Sequence, residues 1–217
     1  MKAFVSWSGG KDCMFALYSF LQASPQNQVS YLINFCDSEL LQSRSHGLES
    51  SLIQAQAEAI GIPLIQEPVT RGTYELHLKK VINQLKAEGI HTGVFGDIYL
   101  DVHRDWIERV CAEMDITPVF PLWGESTTSL MHKFIDAGFR TLLVSVKDEA
   151  RFHPLLGKEM NYQLLNQLLQ MEGVDPCGEN GEYHTYVFDG PFFSYPVPYK
   201  PGEPYFADNH LLLPIKL

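Results

Sequence analysis

The chain has 217 residues, 45% of them hydrophobic and 19% charged, with a formal net charge of −10. That length and apolar content suit a packed globular protein, and the acidic balance argues against one whose main task is gripping an RNA or DNA backbone. No apolar run approaches the roughly 20 residues of a membrane helix, so no membrane partner is expected, and the opening stretch lacks the apolar region of a secretion signal, which reads as cytoplasmic.

AFVSW (3–7) reads as a buried strand, followed by a helix over about 11–22 with Phe15, Leu17, Phe20 and Leu21 apolar. VSYLINFC (29–36) is a second strand. LESSLIQAQAEAIG (48–61) has Leu52, Ile53, Ala57 and Ile60 at helical spacing and a stop at Gly61. A third strand (62–69) and helix (74–89) follow, then a fourth strand (91–98), a fourth helix (102–114) and a fifth strand (116–123). This alternation predicts an α/β fold with a parallel sheet covered on both faces. After Trp123 come a helix (127–137), a strand (139–146), a helix (161–171) and short strand-like pieces among glycines and prolines. A nucleotide-binding domain over 1–123 and a smaller α+β domain over 124–217 are therefore expected. Residues 191–206, PFFSYPVPYKPGEPYF, read equally as a docking surface, compatible with a homo-oligomer, or as an edge strand packed on the second domain.

Four scattered cysteines (Cys13, Cys36, Cys111, Cys177) form no CxxC pair and suggest neither a zinc framework nor a disulfide scaffold. Ligands of parallel sheets bind at the carboxyl ends of the strands. The loop there after strand one is SGGKDC (8–13). Gly9 and Gly10 let the backbone turn tightly and approach a ligand. Amides of the first helical turn can point at an anion, aided by the helix dipole. Lys11 adds a positive charge and Ser8 a hydroxyl; Asp12 either caps the helix or helps hold Mg²⁺. The pattern is neither a Walker A loop nor a dinucleotide fingerprint. An ordinary tight turn into a capped helix has the same local pattern.

SGGKDC resembles the SGGxDS loop of the N-type ATP pyrophosphatases, with Cys13 where most of that superfamily has serine. A thiol is the weaker donor. The resemblance implies ATP and Mg²⁺ as cofactors, with pyrophosphate held by Ser8, Gly9, Gly10, Lys11, Asp12 and Cys13. Three further stretches narrow it. RSHGLESSLIQAQAEAIGIPL (44–64), GDIYLDVHRDWIERVCAEMDITPVFPLW (96–123) and GVDPCGENGEYHTYVFDGPFF (173–193) are similar to segments of the diphthine–ammonia ligase family, in its bacterial-type form. Arg44 and His46 then contact phosphate or substrate, although His46 and Gly47 also suit a plain turn before the second helix. Gly96 and Asp97 end strand four; Gly96 permits close backbone approach and Asp97 can bind Mg²⁺. Arg104 can reach a carboxylate or phosphate. Glu179, Glu182 and Thr185 belong to the third segment. Its two carboxylates suit a cation, an ammonium ion or proton transfer, and beside Trp123 or Tyr183 they suit a trimethylammonium group.

The resemblance implies a five-stranded sheet in the order 3-2-1-4-5. It also implies an ATP-dependent ligase that adenylates a carboxylate, releases pyrophosphate and forms an amide with ammonia. Lys11, Asp12, Glu179 and Glu182 are the expected catalytic residues, and Asp12 and Asp97 the metal ligands. The family's substrate is diphthine on a translation elongation factor. Two alternatives stand beside it: a ligase acting on another small-molecule carboxylate, and a sensor that binds ATP without turnover. A thiolation enzyme acting on tRNA is disfavoured by the missing CxxC and the negative charge, so a nucleic-acid partner is not expected.

Overall fold

A computed structural model of the chain describes residues 1–37, 47–70 and 72–217. Arg44 and His46 lie outside the described residues. In chain order the elements are β1 (Lys2–Ser6), α1 (Lys11–Ala23), β2 (Gln28–Asp37), α2 (Ser50–Ile60), β3 (Leu64–Val69), α3 (Tyr74–Ala87), β4 (Thr92–Val94), α4 (Asp101–Glu113) and β5 (Thr117–Val119). Then follow α5 (Thr127–Asp136), β6 (Arg140–Lys147), α6 (Tyr162–Leu169), β7 (Tyr183–Asp189), β8 (Lys200–Pro201), β9 (Tyr205–Ala207), β10 (His210–Leu212) and β11 (Ile215–Lys216). Among the described residues no helix is long and apolar enough to cross a membrane.

The chain divides into two compact units. The first comprises Met1–Ser8, Asp12–Leu41 and Ile62–Gly124; the second comprises Gly9–Lys11, Gln42–Gly61 and Glu125–Leu217. The first holds a five-stranded sheet in the order β3-β2-β1-β4-β5, every pairing parallel. This is the expected 3-2-1-4-5 arrangement. Strand β1 lies at its centre, with Val5 beside Leu32 on one side and Val94 on the other. Ala3, Phe4 and Val5 are fully buried, as a strand covered on both faces requires. On one face Phe4, Ile33 and Phe35 pack with Leu78, Val81, Ile82 and Leu85 of α3 and Ile107, Val110 and Cys111 of α4. Burial there pushes the Cys111 thiol up to about 11, as in a core residue rather than a nucleophile.

Strands β4 and β5 are three residues each, far shorter than the stretches 91–98 and 116–123 read from sequence. Pro118 is the middle residue of β5, an edge strand where a missing N–H is tolerated. Beyond Val94 one further bond forms, Phe95 N–H to the Val119 carbonyl at 3.0 Å. Gly96 then turns against the first residues of α1. The second helix stops as expected, with Gly61 in the left-handed region (φ 77°) donating its N–H to the Ala57 carbonyl at 2.9 Å.

The second unit is built on an antiparallel sheet ordered β7-β6-β10-β9, with a separate pair β11-β8. Residues 142–146 of the internal strand β6 are buried. Ser126 and Asn161 cap α5 and α6 with side-chain oxygens that accept from Ser129 N–H and Leu164 N–H. Helix α2, read in sequence as part of the N-terminal domain, clusters here. Tyr186 Oη donates to the Leu52 carbonyl at 3.2 Å, and Ser194 N–H donates to the Ala59 carbonyl at 2.7 Å.

Gly93 of β4 generates the first prediction. A Cβ there would lie 2.6 Å from Phe4 Cζ and 2.9 Å from Phe95 Cε2. Gly93→Ala should destabilise the fold by about 1–3 kcal/mol, read as a lower urea midpoint at unchanged slope; an unmoved midpoint would contradict this packing.

Candidate active site

The loop after β1 is shaped by contacts within the second unit. Gly9 has φ 85°, and a Cβ on it would lie 2.5 Å from Ile53 Cδ1. Both facts demand glycine. The Gly9 carbonyl accepts the Val187 N–H of β7 at 3.0 Å and Gln56 Nε2–H of α2 at 3.0 Å. Gln56 donates as well to the Val187 carbonyl at 2.6 Å. One turn on, Lys11 N–H donates to Thr185 Oγ1 at 3.0 Å. Lys11 is buried, 4% exposed, with Nζ 5.2 Å from the centre of the Tyr183 ring. The loop is thus sewn to β7 at alternate residues, 185 and 187.

His184 directly precedes the first of these residues. Its ring lies 5.7 Å from that of His210. Burial first, then the charge of Lys11 and then His210, pull its pKa from 6.5 to about 4.

Residues 175–182, which lead into β7, wind about two carboxylates. Asp175 Oδ1 accepts Cys177 N–H at 2.8 Å and Glu179 N–H at 3.4 Å. Glu182 is 3% exposed and accepts Asp175 N–H at 2.8 Å, Asn180 N–H at 2.9 Å and Asn180 Nδ2 at 3.2 Å. Its carboxylate therefore organises its own loop. Glu179 is half-buried at the turn. Tyr183, expected beside a substrate cation, has its ring against Lys11 and its hydroxyl on the Pro176 carbonyl.

In the first unit, Ser8 Oγ donates to Cys13 Sγ at 3.5 Å, so the thiol serves as the acceptor of a contact within the loop. Gly96 abuts the start of α1: a Cβ there would lie 2.8 Å from the Asp12 carbonyl carbon and 2.9 Å from Cys13 N. The close approach expected of Gly96 is thus made to the protein's own backbone. It brings Asp97 near Asp12. Burial raises the Asp97 pKa most; His103, whose Nδ1 is 3.5 Å from Asp97 Oδ1, opposes that, and Asp12 adds to it. The GDI and PLWG segments meet where Gly124 N–H donates to the Ile98 carbonyl at 2.8 Å. Arg104 stacks 4.7 Å from the Trp123 ring and 5.4 Å from that of Phe120, with Nε on Glu108 Oε1 at 2.6 Å. Trp123 thus has a cation of its own chain on its ring.

Asp12 lies close enough to help raise the Asp97 pKa, and a pair of carboxylates suits a hard cation, which typically takes one or two carboxylates and completes its shell with phosphate oxygens and water. Asp12 and Asp97 fit Mg²⁺ on that chemistry. Among the described residues no group of three or more His, Cys, Asp or Glu could hold a metal alone.

Residues 1–118 match the model of the diphthamide synthase N-terminal domain and residues 126–216 that of the diphthamide synthase C-terminal domain. The chain belongs to the diphthamide synthase family. Among curated members it is 28% identical over 220 residues to the diphthine–ammonia ligase of Danio rerio, covering 86% of this chain and 81% of that protein. To the human diphthine–ammonia ligase it is 28% identical over 222 residues, covering 86% and 78%. A solved structure, described as a predicted subunit of a tRNA methyltransferase from Methanocaldococcus jannaschii, aligns over 100% of this chain and 98% of its own at TM-score 0.40 and 15% identity. The family assignment does not lean on it.

Two residues of this diphthamide synthase family chain escaped the sequence reading. Gln56 is a fully buried amide among Leu52, Ile53 and Ala57 on the inner face of α2, and a polar side chain on an otherwise apolar helix stripe is the signal that marks it. His184 had no such signal, because alternation along β7 alone does not reveal which charge it meets.

His184 makes a pH prediction. Its folded pKa lies below the unfolded one, so the neutral form stabilises the fold above about pH 6.5, and that contribution is lost as pH falls toward 4. The loss amounts to about 3 kcal/mol. His184→Gln should flatten the fall in unfolding free energy over that window; an unchanged pH profile would remove the assignment.

Proposed function

We propose that the chain is an ATP-dependent ligase that joins ammonia to a carboxylate, the diphthine carboxylate of an elongation factor being the substrate. The observation that carries this reading is the glycine turn between β1 and α1, fastened to β7 with Lys11 buried at its end, in a chain matched along both halves by one family. The named relatives supply the substrate class. The reading also takes the protein as cytoplasmic, where that substrate would be met.

The carboxylate oxygen attacks the α phosphorus of ATP, the bond from that phosphorus to the bridging oxygen breaks, and pyrophosphate leaves with both electrons. Ammonia then attacks the acyl carbon and AMP departs, leaving the amide and one proton to be taken up. Residues 8–13 hold the leaving pyrophosphate. The Gly10 and Asp12 amides belong to the first turn of α1, at the positive end of its dipole, and Lys11 adds charge where the transition state develops it. Asp12 and Asp97 would hold Mg²⁺, which supplies charge neutralisation on the phosphate oxygens when bound. Glu179, half-buried at its turn, orients the ammonium ion and accepts its proton. Glu182 keeps that turn in shape, and Thr185 holds the Lys11 peptide. Arg104, stacked on Trp123, presents its remaining N–H groups to an anionic substrate group.

Incubation with MgATP, ammonium and a diphthine-bearing elongation factor should give AMP, pyrophosphate and amide in equal amounts. Cleavage without amide on that protein, but with amide on a small carboxylate, would replace the substrate. Absence of cleavage with any carboxylate would leave an ATP sensor. Lys11→Ala should lower kcat/KM for ATP by about 10²–10³-fold with the fold intact; wild-type turnover in that variant would sink the loop's role. Asp97→Asn should raise the Mg²⁺ concentration needed for half-maximal turnover, and an unmoved Mg²⁺ curve would remove Asp97 from the metal site.

A further inference from the structure

His210 opens β10, and the reaction gives it no task. Its ring meets two carbonyl oxygens: Nδ1 lies 3.0 Å from that of Asp208 and Nε2 lies 3.1 Å from that of Gly181. A carbonyl oxygen only accepts, and a neutral imidazole carries one N–H, so only the imidazolium donates to both. Either neutral tautomer aims a nitrogen lone pair at an oxygen, and the ring must give up one of its two bonds.

The Asp208 bond is local. It closes on the two-residue turn Asp208–Asn209, with φ 48° and 63°, that a tight hairpin requires. The Gly181 bond spans 29 residues and reaches the turn that carries Glu179 and Glu182. The bonds that wind this turn, to Asp175 Oδ1 and to the Glu182 carboxylate, stay within residues 175–182. They give the turn its shape. His210 fastens its Gly181 peptide to the hairpin of β9 and β10.

Lys147 of β6 stands opposite His210 in the sheet, with its Nζ on Glu149 Oε1 at 2.8 Å. Asp148 donates its N–H to the Asn209 carbonyl at 2.9 Å, and its carboxylate meets His153 Nε2 at 2.9 Å. The acids of the turn are Glu179 and Glu182, and that of the hairpin is Asp208. From β7 comes His184, whose pKa is pulled down to about 4 by burial first, then by Lys11 and then by His210. Above that pH His184 is neutral, so of the two neighbouring rings only His210 takes up a proton.

We infer that His210 is a positioning residue: as the imidazolium it latches the Gly181 carbonyl and holds the Glu179 turn where ammonia is met. This rests on the reading that the turn serves the ammonia half of the ligase reaction. His210 touches no substrate; it acts through the Gly181 peptide, and the latch opens as pH rises through the titration of its ring.

His210→Gln puts an amide nitrogen at the reach of Nε2 and donates at every pH; His210→Leu donates at none. With MgATP, ammonium and a diphthine-bearing elongation factor, the leucine variant should raise KM for ammonium about tenfold, the worth of a hydrogen bond from a charged donor. Exchange of pyrophosphate into ATP, which precedes ammonia, should change by about twofold at most. The glutamine variant should restore most of the ammonium affinity, and it serves if the leucine variant does not fold. The ratio of its amide-forming rate to that of wild type should climb as pH rises through the His210 titration, the supply of free ammonia cancelling in the ratio. A second readout needs no turnover: the ¹³C resonance of the Gly181 carbonyl should shift with the same midpoint as the ring nitrogens of His210. A carbonyl resonance that stays put while the ring titrates, an unmoved KM for ammonium in the leucine variant, or a constant rate ratio in the glutamine variant would overturn the proposal. A carbonyl that follows the ring in a wild-type protein forming no amide sinks the ligase reading instead, and the latch's task with it.

Discussion

The Gly9 carbonyl is the point on which the loop's shape depends. It accepts a backbone N–H from β7 and a side-chain N–H from α2, and it does so from a φ of 85° that only glycine takes without strain. A β-strand offers N–H groups outward on one edge at every second residue. Strand β7 pairs with β6 on one side, and its other edge, with Thr185 and Val187 in register, receives the loop. Replace that edge with solvent and a Gly-Gly turn has many conformations. Beside it the turn has one.

The same edge explains why the short segment Gly9–Lys11 clusters with the C-terminal sheet while Ser8 and Asp12 cluster with the parallel one. It also sorts the acids of the CGENGEYHT segment. Glu182 is consumed by three donors of its own turn, so the turn enters β7 at a fixed place. Thr185 and Tyr183 then meet Lys11 from the same strand, one through its hydroxyl and one through its ring. Residues that read as substrate contacts in the sequence are in this way the supports of Lys11, and Glu179 lies half-buried at the turn.

Much of the fold was legible. Alternating buried strands and amphipathic helices carry the parallel sheet and its boundaries to within a few residues wherever a glycine or a long apolar run marks the end, as at Gly61. Strands β4 and β5 were overread because apolar residues continue past them; just beyond β4, Gly96 turns against the start of α1, a tertiary fact. Of the site, the loop and Asp97 were visible as residue types at strand ends. The partners of Arg104, Trp123 and Glu182 were not. Each is a charged or aromatic group whose role depends on which side chain lies across from it, and spacing along one element does not encode that. Gln56 lay in view as a polar residue on an apolar stripe, a pattern that demands a buried partner without naming which.

The account stands most directly on where pyrophosphate meets the chain. In a ¹⁵N-labelled sample titrated with magnesium pyrophosphate, the Gly10 amide resonance should move strongly. The Lys11 amide, already given to Thr185, should move little, and Val187, given to Gly9, should hold still. A titration in which the loop amides stay unmoved while resonances elsewhere shift would contradict the account at its root.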